Sequence, residues 1–452
     1  MRRSEGAPLG GKELGTKTIL TRRGFLAVTG RGAVAAGLGP TVRARRARAT
    51  SETLTIAQWN HFIPAFDEWF DLTFTKPWGE RNGVRVVVDH LSANDLLSRA
   101  ATEVASRRGH DLFGLLAPPA TLEAHLLPLN DVVGECERRV GKLITLAHQG
   151  TYNSKTQKYF ALADHWAPGA LHYRVDLWND VGIKPDSWAD IREGARKIKA
   201  KHGVHAGFGL ARELDSNMTL RGLLWSHGAA EQDEAGRVTI NSKATVEAIK
   251  LMTAVFKESM SPEVLLWDSS SNSRFFVWGR GSIIQNAIST LRTAEKLNSE
   301  VAKQTALAPP ATGPKTRLAA PHVLHCYVVW KFARNPELAK RFLIDLIAAY
   351  NEVFLASEFY NFPAFPNSVR ALRSKLAADR ENPRAYPVLA DAERWSACPG
   401  HPGYATAAID EVIQSFVIPN MFARAARGEQ SAEDSARHAE ADMKRIFAKW
   451  AR

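Results

Sequence analysis

The alternation of apolar and polar residues between Gly169 and Gly203 predicts a short strand, a loop and an amphipathic helix. Ala170–Tyr173 alternates as a half-buried strand does. Gly182–Pro185 contains two residue types that interrupt regular structure. Ser187 is a residue type that caps helices, and from Trp188 onward apolar residues recur every three or four positions with charged residues between them. This stretch therefore predicts a strand followed by a helix that ends at Gly203.

The same kind of pattern precedes and follows this stretch. Apolar strands are predicted at Leu54–Gln58, Val84–Val88, Asp111–Leu115 and Ala206–Leu210, and a helix is predicted at Asn94–Ser106. Strands that alternate with helices pair in parallel, because the helix carries the chain back across the sheet. The pattern predicts an α/β fold.

One stretch resembles a known family. HYRVDLWNDVGIKPDSWAD, at 172–190, is similar to the central signature of the extracellular solute-binding proteins of ABC importers, and within them to the carbohydrate-binding group that includes the maltose-binding proteins. Three further stretches resemble the family in the expected order: AHLLPLND at 124–131, the helix that follows Asn241 and Ser242, and KFARNPELAKRFLIDLIAA at 331–349. The resemblance extends over nearly all of residues 53–452.

The resemblance implies a periplasmic binding protein fold, in which two α/β lobes are joined by hinge strands and a ligand cleft lies between them. The implied segments are an export signal at 1–49, lobe 1 at 50–167 and lobe 2 at 168–316. A return to lobe 1 is implied at 317–365, and C-terminal helices, mainly of lobe 2, at 366–452. Such lobes close over their ligand by hinge motion.

A net charge of +12 is typical of proteins that bind nucleic acid, but the distribution of the charge along this chain does not favour that function. Residues 1–50 hold 11 Lys and Arg and 2 Asp and Glu, a net charge of +9, so the remaining residues carry 12 − 9 = +3. No nucleic-acid partner is therefore expected. No run of about 20 apolar residues that could cross a membrane is present.

The basic leader resembles a twin-arginine signal peptide. Thr21–Leu26 matches the twin-arginine motif, a weakly apolar stretch follows, and Ala47–Ala49 offers a small-x-small cleavage site. The mature chain is expected to begin near Thr50. No cysteine lies near the cut, so we expect a periplasmic protein without a lipid anchor.

The sequence contains few signs of catalytic or redox chemistry. Cys136, Cys326 and Cys398 form no CxxC pair and no metal-ligand spacing, and we expect all three to be free and buried. Gly-x-Ser-x-Gly, His-Glu-x-x-His and Walker motifs are absent. No enzyme activity, cofactor or metal is expected.

The resemblance implies a set of ligand-binding side chains from the loops that face the cleft. Aromatic faces stack on sugar rings, and carboxylates, amides and imidazoles hydrogen-bond to hydroxyl groups. His322 and His325 could contact the ligand, or a metal ion if a third ligand came from elsewhere, although His-x-x-His alone is weak evidence for metal. The predicted ligand-binding residues are Trp59, His61, Asp164, His165, Trp166, Trp225, Asn286, His322, His325, Trp395 and Tyr404.

Some of these side chains also have a structural interpretation. Trp59 could instead belong to a hydrophobic core, the family's tryptophan at the position of Trp225 is more often core than ligand-facing, and Asp164 could instead cap the hinge or form a salt bridge there. The implied function is that of a monomeric periplasmic component of an ABC transporter, which captures a sugar or polyol and delivers it to the transmembrane permease subunits. The alternatives are a periplasmic glycosidase-like enzyme and a binding protein that serves a sensory receptor.

Overall fold

The computed structural model describes residues 52–451, so the predicted export signal at 1–49 lies outside the described residues. The strands are β1 (Thr53–Trp59), β2 (Arg85–Leu91), β3 (Leu112–Leu115), β4 (Tyr152–Asn153), β5 (Lys158–Tyr159), β6 (Leu162–Ala167), β7 (Ala170–Arg174), β8 (His205–Ala206), β9 (Gly281–Asn286), β10 (Thr305–Ala308), β11 (Val323–Val329) and β12 (Phe362–Pro363).

Most of the described chain is helical. The α-helices of the first half are α1 (Pro64–Glu68), α2 (Lys76–Asn82), α3 (Leu96–Ser106), α4 (Asn130–Val140), α5 (Thr145–Thr151), α6 (Val175–Asp180), α7 (Trp188–His202) and α8 (Leu214–Ser226). Those of the second half are α9 (Lys243–Ser259), α10 (Ser271–Val277), α11 (Ser289–Leu297), α12 (Ser299–Lys303), α13 (Pro336–Ala348), α14 (Tyr350–Ala356), α15 (Leu372–Ala377), α16 (Ala407–Gln414), α17 (Val417–Ala426) and α18 (Ala432–Trp450). A π-helical segment joins α1 to α2 at Trp69–Thr75.

The predicted strand-loop-helix at the centre of the chain is confirmed. Ser187 caps α7 through a capping box with Asp190, each side chain accepting from the other residue's backbone N–H. Gly203 ends the helix in a left-handed conformation, with φ of 70°. The apolar face of α7 buries Trp188, Ile191, Ala195 and Ile198, and each of the large side chains contributes about 1.5–3 kcal/mol of transfer free energy.

The strands form two main sheets, which define the two lobes. Lobe 1 contains a six-stranded sheet in the order β12-β6-β11-β3-β1-β2, and lobe 2 a four-stranded sheet in the order β10-β7-β9-β8. β1 pairs in parallel with β2 and β3, as the alternation of strands and helices predicts. β11 is antiparallel to β3 and β6, because the chain returns to this sheet from lobe 2.

Two connections between the lobes run side by side. Pro168 and Gly169 join β6 to β7, and the segment after β10 leads back to β11. The backbone N–H of His322 donates to the carbonyl of Ala167 at 2.8 Å. A Cβ on Gly169 would lie 2.9 Å from the carbonyl oxygen of Ala320, so only glycine allows this approach.

Each sheet has its own hydrophobic core. The first core includes Trp59, Phe113 and Trp330, and the second includes Trp178 and Phe422. The C-terminal region contributes to both, since buried residues between 376 and 405 join the first core and those between 412 and 443 join the second. The three cysteines are free and buried, as predicted.

The helices of the described region were compared with the length and hydropathy of membrane-spanning helices. Among residues 52–451, none combines the length and apolar character that a bilayer crossing needs.

Candidate ligand-binding site

A buried group of polar side chains lies where the strands of lobe 1 end at the connections between the lobes. Asp164 and His165 belong to β6 and His325 to β11, and we call these three residues the Asp164 cluster. Asp164 Oδ1 accepts from His325 Nδ1 at 2.6 Å, and Asp164 Oδ2 accepts from His165 Nδ1 at 2.7 Å. The hydroxyl of Tyr350 donates to Oδ2 at 3.2 Å. A buried carboxylate is thus surrounded by three donors.

The pairing of β6 with β11 produces this arrangement. His325 lies opposite His165, and the register then shifts so that Cys326 lies opposite Ala163. The shift leaves Asp164 without a cross-strand partner, next to both imidazoles. The two rings stack with centroids 4.6 Å apart and an angle of 12° between their planes.

The electrostatics of the cluster favour an ionised Asp164. Burial opposes ionisation, but the two imidazoles outweigh it and hold the pKa of Asp164 well below its usual range. Burial also lowers the pKa of His165, although Asp164 counteracts part of that shift. Asp164 is therefore ionised at neutral pH although it is buried.

His61 packs beside this cluster, with its ring centroid 6.4 Å from that of His165. Its Nδ1 accepts from the backbone N–H of Ile63 at 2.9 Å, which leaves Nε2 to donate to Asn361 Oδ1 at 2.9 Å. Burial lowers the pKa of His61 to about 3, so its ring is neutral at neutral pH. Its ring centroid is 4.6 Å from Trp59 and 5.0 Å from Tyr360. These rings form an aromatic surface over the Asp164 cluster.

Lobe 2 presents a second polar group, which we call the Asp215 patch: Asp215, Asn272, Ser273 and Asn286. Asn286 Nδ2 donates to Asn272 Oδ1 at 2.7 Å and to Ser273 Oγ at 2.9 Å. Asp215 Oδ2 lies 3.5 Å from the same nitrogen. Asp215 Oδ1 lies 2.8 Å from Nδ1 of His322, but the two groups are not aligned for a hydrogen bond. This carboxylate oxygen is therefore buried without a hydrogen-bond partner.

Other buried polar atoms around this junction also lack partners within residues 52–451. They are Trp59 Nε1, His165 Nε2, His325 Nε2, Tyr360 Oη and Asn361 Nδ2. A buried polar atom without a partner costs about 1–3 kcal/mol. They are concentrated in the part of lobe 1 around His61 and the Asp164 cluster, which leaves this buried region with unused hydrogen-bonding capacity.

Two cavities are relevant to ligand binding, and the smaller one lies at this junction. One of about 190 Å³ is lined by Phe62, Ser273, Asn286 and His322, and so by residues of lobe 1, lobe 2 and the returning connection. A larger one of about 800 Å³ is lined by residues that include Thr121, Tyr152, Phe160, Gln232 and Tyr404.

The structure gathers seven of the predicted residues around the junction. They are Trp59, His61, Asp164, His165, Asn286, His322 and His325. Phe62 connects the two groups, since its ring lies 6.2 Å from His322 and 5.0 Å from Trp59.

The other four predicted residues lie elsewhere. Trp166 is buried in the first core with its ring 5.7 Å from Phe362, and Trp395 is buried in the same core. Trp225 is buried, and its Nε1 donates to Glu231 at 3.4 Å. Tyr404 lines the larger cavity, where its ring lies 6.3 Å from Tyr152. The ligand contacts of all eleven residues stay predictions.

Sequence reasoning did not single out Asp215 or Tyr360. Asp215 lies in a polar stretch that begins α8, where Glu213 accepts from two backbone N–H groups as the N-cap. A stretch of this kind predicts a capped helix start and gives no indication of a ligand site. Tyr360 follows α14 and joins the site only because the chain folds back to β12. Neither position carries a local signal for ligand contact.

Glu213 gives a pH-dependent prediction. Burial, with the neighbouring Asp215, raises its pKa to about 8 from an ordinary value of 4.5. The stabilisation from neutral Glu213 is therefore complete below about pH 4.5 and is lost as pH rises through about 8. Glu213→Gln stays neutral, so we expect it to exceed the wild type in unfolding free energy by at least about 1 kcal/mol near pH 9 and to match it near pH 4.5.

Thermal unfolding of both proteins across this pH range measures the difference. Glu193→Gln, at an exposed position in lobe 2, is the control and should follow the wild-type pH profile closely. Parallel profiles for wild type and Glu213→Gln would show that Glu213 is ionised in the folded protein.

Comparison with known proteins identifies relatives of this chain. The sequence model of a family described as bacterial extracellular solute-binding protein matches residues 62–352, more than half of the 452 residues. A binding protein of Brucella abortus (strain 2308) is 30% identical over 95 residues, which are 20% of this chain and 23% of that protein. The chain thus matches about a quarter of the length of this curated relative.

Solved structures share the whole fold. A periplasmic-binding protein from Synechococcus sp. MITs9220 in complex with zinc has a TM-score of 0.75 at 18% identity, covering 88% of this chain and 100% of that one. A solute-binding protein of Thermotoga lettingae bound to α-D-tagatose has a TM-score of 0.74 at 16% identity with the same coverage. Maltose-bound MalE3 of T. maritima has a TM-score of 0.72 at 19% identity, again with the same coverage. These similarities show the two-lobe periplasmic binding protein fold.

Proposed function

The chain belongs to the bacterial extracellular solute-binding proteins, and we propose that it captures a sugar or polyol between its lobes for delivery to an ABC permease. The observation that carries the proposal is the buried Asp215 Oδ1, which lacks a hydrogen-bond partner next to a cavity lined by both lobes. A ligand hydroxyl would donate to this oxygen. Such a bond, with one charged partner, contributes about 1.5–3 kcal/mol.

The donor and acceptor types around the cavity support a polyhydroxyl ligand. Asp215 accepts hydrogen bonds, His322 offers a ring nitrogen, and Phe62 supplies an apolar face of the kind that sugar rings stack on. The solved relatives bound to tagatose and to maltose support the same ligand class. The larger cavity beside Tyr404 offers room for further sugar units.

Several finer points belong to this proposal. The segments 50–167, 168–316 and 317–365 are proposed as lobe 1, lobe 2 and the return to lobe 1, supported by which sheet each strand joins. The segment 366–452 is proposed as C-terminal helices mainly of lobe 2, supported by its buried residues between 412 and 443 in the second core. The protein is proposed to act as a monomer in the periplasm after export by the twin-arginine route. It is proposed to bind and release its ligand without chemical change.

A thermal-shift screen against sugars, polyols, sugar phosphates and amino acids tests the proposal. A ligand at about 100 times its dissociation constant adds about 2.7 kcal/mol, which for about 400 residues is a rise of about 3 °C. We expect a sugar or polyol to give this shift and to be recovered intact. No shift from any sugar or polyol would overturn the ligand class, and a cleaved compound would indicate an enzyme.

A further inference from the structure

We propose that His165 and His325, both held in orientation by Asp164, bind a divalent transition-metal ion through their Nε2 atoms, with Zn²⁺ as the representative. The site lies beneath the solute cleft and is separate from the Asp215 patch. The sequence pointed to His322 and His325 as a possible metal pair. The fold instead pairs His325 with His165, because these two residues are opposite each other on β11 and β6.

The first observation is the donor set. Each of the three residues offers one ligand atom within 4.8 Å of the other two, and all three side chains are at most 5% exposed. Imidazole nitrogens are zinc ligands, and a carboxylate that accepts from the other ring nitrogen is the usual group that orients them. Imidazole also suits nickel and copper, so the chemistry selects a transition metal over calcium or magnesium.

The second, independent observation is that both imidazoles have a free nitrogen. His165 Nε2 and His325 Nε2 are buried and have no hydrogen-bond partner within residues 52–451. Their Nδ1 atoms are held by Asp164, so each ring presents Nε2 as a lone-pair donor. Metal-binding histidines commonly donate their other ring N–H to a carboxylate, which fixes the tautomer and the ring orientation. Nothing else in the described fold satisfies these two nitrogens.

The surroundings keep the three side chains in place. Tyr350 donates to Asp164, and the stacked rings of His165 and His325 restrict each other. Gly114 leaves space beside His325, since a Cβ at Gly114 would lie only 2.9 Å from His325 Nε2. The site is therefore preorganised, which favours metal binding over a site that must be assembled from mobile side chains.

The position of the site suggests what an ion would do. β6 leads into the first connection between the lobes, and β11 follows the second. An ion held by both strands would join the two hinge strands on the lobe 1 side. His61 and Tyr360 pack beside this site, with ring centroids 6.4 and 6.5 Å from His165. A bound ion would thus also hold the aromatic rings that pack on the cluster.

The test uses the purified full-length chain and Zn²⁺ alone, after treatment with a chelator. Zinc content is measured by elemental analysis after gel filtration, and affinity by calorimetry. We expect one ion per chain and a rise in melting temperature that the chelator reverses. His165→Gln and Asp164→Asn should each weaken Zn²⁺ binding by at least about tenfold.

His202→Gln is the matched control, because His202 forms an exposed pair with Asp180 at 2.7 Å in lobe 2. It should leave Zn²⁺ affinity unchanged. Circular dichroism in the presence of chelator shows whether each variant is folded. The absorption spectrum of Co²⁺ bound to the wild type reports imidazole coordination independently of the variants. The proposal is overturned if the wild type binds no Zn²⁺, if Co²⁺ shows no coordination spectrum, or if the folded variants bind as the wild type does. Solute binding is also measured in the presence of chelator. This measurement tests the proposed function without the metal ion, so a failure of the metal site and a failure of the proposed function give different results.

Discussion

Arg221→Met is expected to lower the free energy of unfolding by about 3–5 kcal/mol. Arg221 and Glu231 are both fully buried in lobe 2, and Arg221 Nε donates to Glu231 Oε1 at 2.5 Å. Arg221 Nη1 also donates to Asn217 Oδ1 at 2.7 Å. Removing the guanidinium leaves a buried carboxylate without its counter-charge, and that uncompensated charge is the main cost. For about 400 residues the expected fall in melting temperature is about 4–6 °C.

Two further variants make this prediction specific. Arg221→Met combined with Glu231→Gln removes both charges, so it should recover part of the lost stability. Arg196→Met removes an exposed arginine that pairs with Glu193, and it should change stability by less than about 1 kcal/mol. Thermal and urea unfolding measure all three. Equal losses for Arg221→Met and Arg196→Met would show that the buried pair contributes no more than a surface pair.

Asp215→Asn is expected to weaken binding of the best compound from the ligand screen by about 10- to 100-fold. The substitution keeps the shape of the side chain but removes the charge that strengthens a hydrogen bond from a ligand hydroxyl. It also replaces one acceptor oxygen with a donor, next to His322 Nδ1 at 2.8 Å. Calorimetric titration measures the change directly.

Asp180→Asn is the control for this prediction, since Asp180 is an exposed carboxylate of lobe 2 far from the cavity lining. Its affinity for the same compound should match that of the wild type. A wild-type affinity for Asp215→Asn, with its fold intact, would remove Asp215 from the ligand site. The 800 Å³ cavity beside Tyr404 would then become the leading location for the ligand.

The elements of the fold could be predicted well where the pattern is local. The helix from Trp188 and its cap at Ser187 follow from residue types within one short stretch, and the structure has them at these positions. The predicted strand at Ala206–Leu210 is shorter in the structure, where β8 covers only His205–Ala206. Backbone hydrogen bonds in that region depend on a partner strand, β9, which lies far away in the sequence.

The site could be predicted only in part. His61 and His165 were predicted because the resemblance places the loop after the first strand and the first hinge crossing at the cleft, and the structure brings their rings within 6.4 Å of each other. The aromatic candidates Trp59, Trp166 and Trp395 look alike in sequence and are all buried in the first core, yet of these three Trp59 is the one whose ring lies near His61 and His325. An aromatic residue in a strand points to one of two faces, and the neighbours on each face come from distant segments.

The sequence by itself determined the fold class, the family and the order of the local elements, because these depend on periodicity, caps and motifs within short stretches. Only the tertiary structure decided that Asp164 holds two imidazoles, through the shifted register between β6 and β11. It alone placed Asp215 and Asn286 beside His322, from segments more than 30 residues apart. Contacts between distant segments depend on how the lobes pack, and that packing cannot be predicted from the residues of any one short stretch.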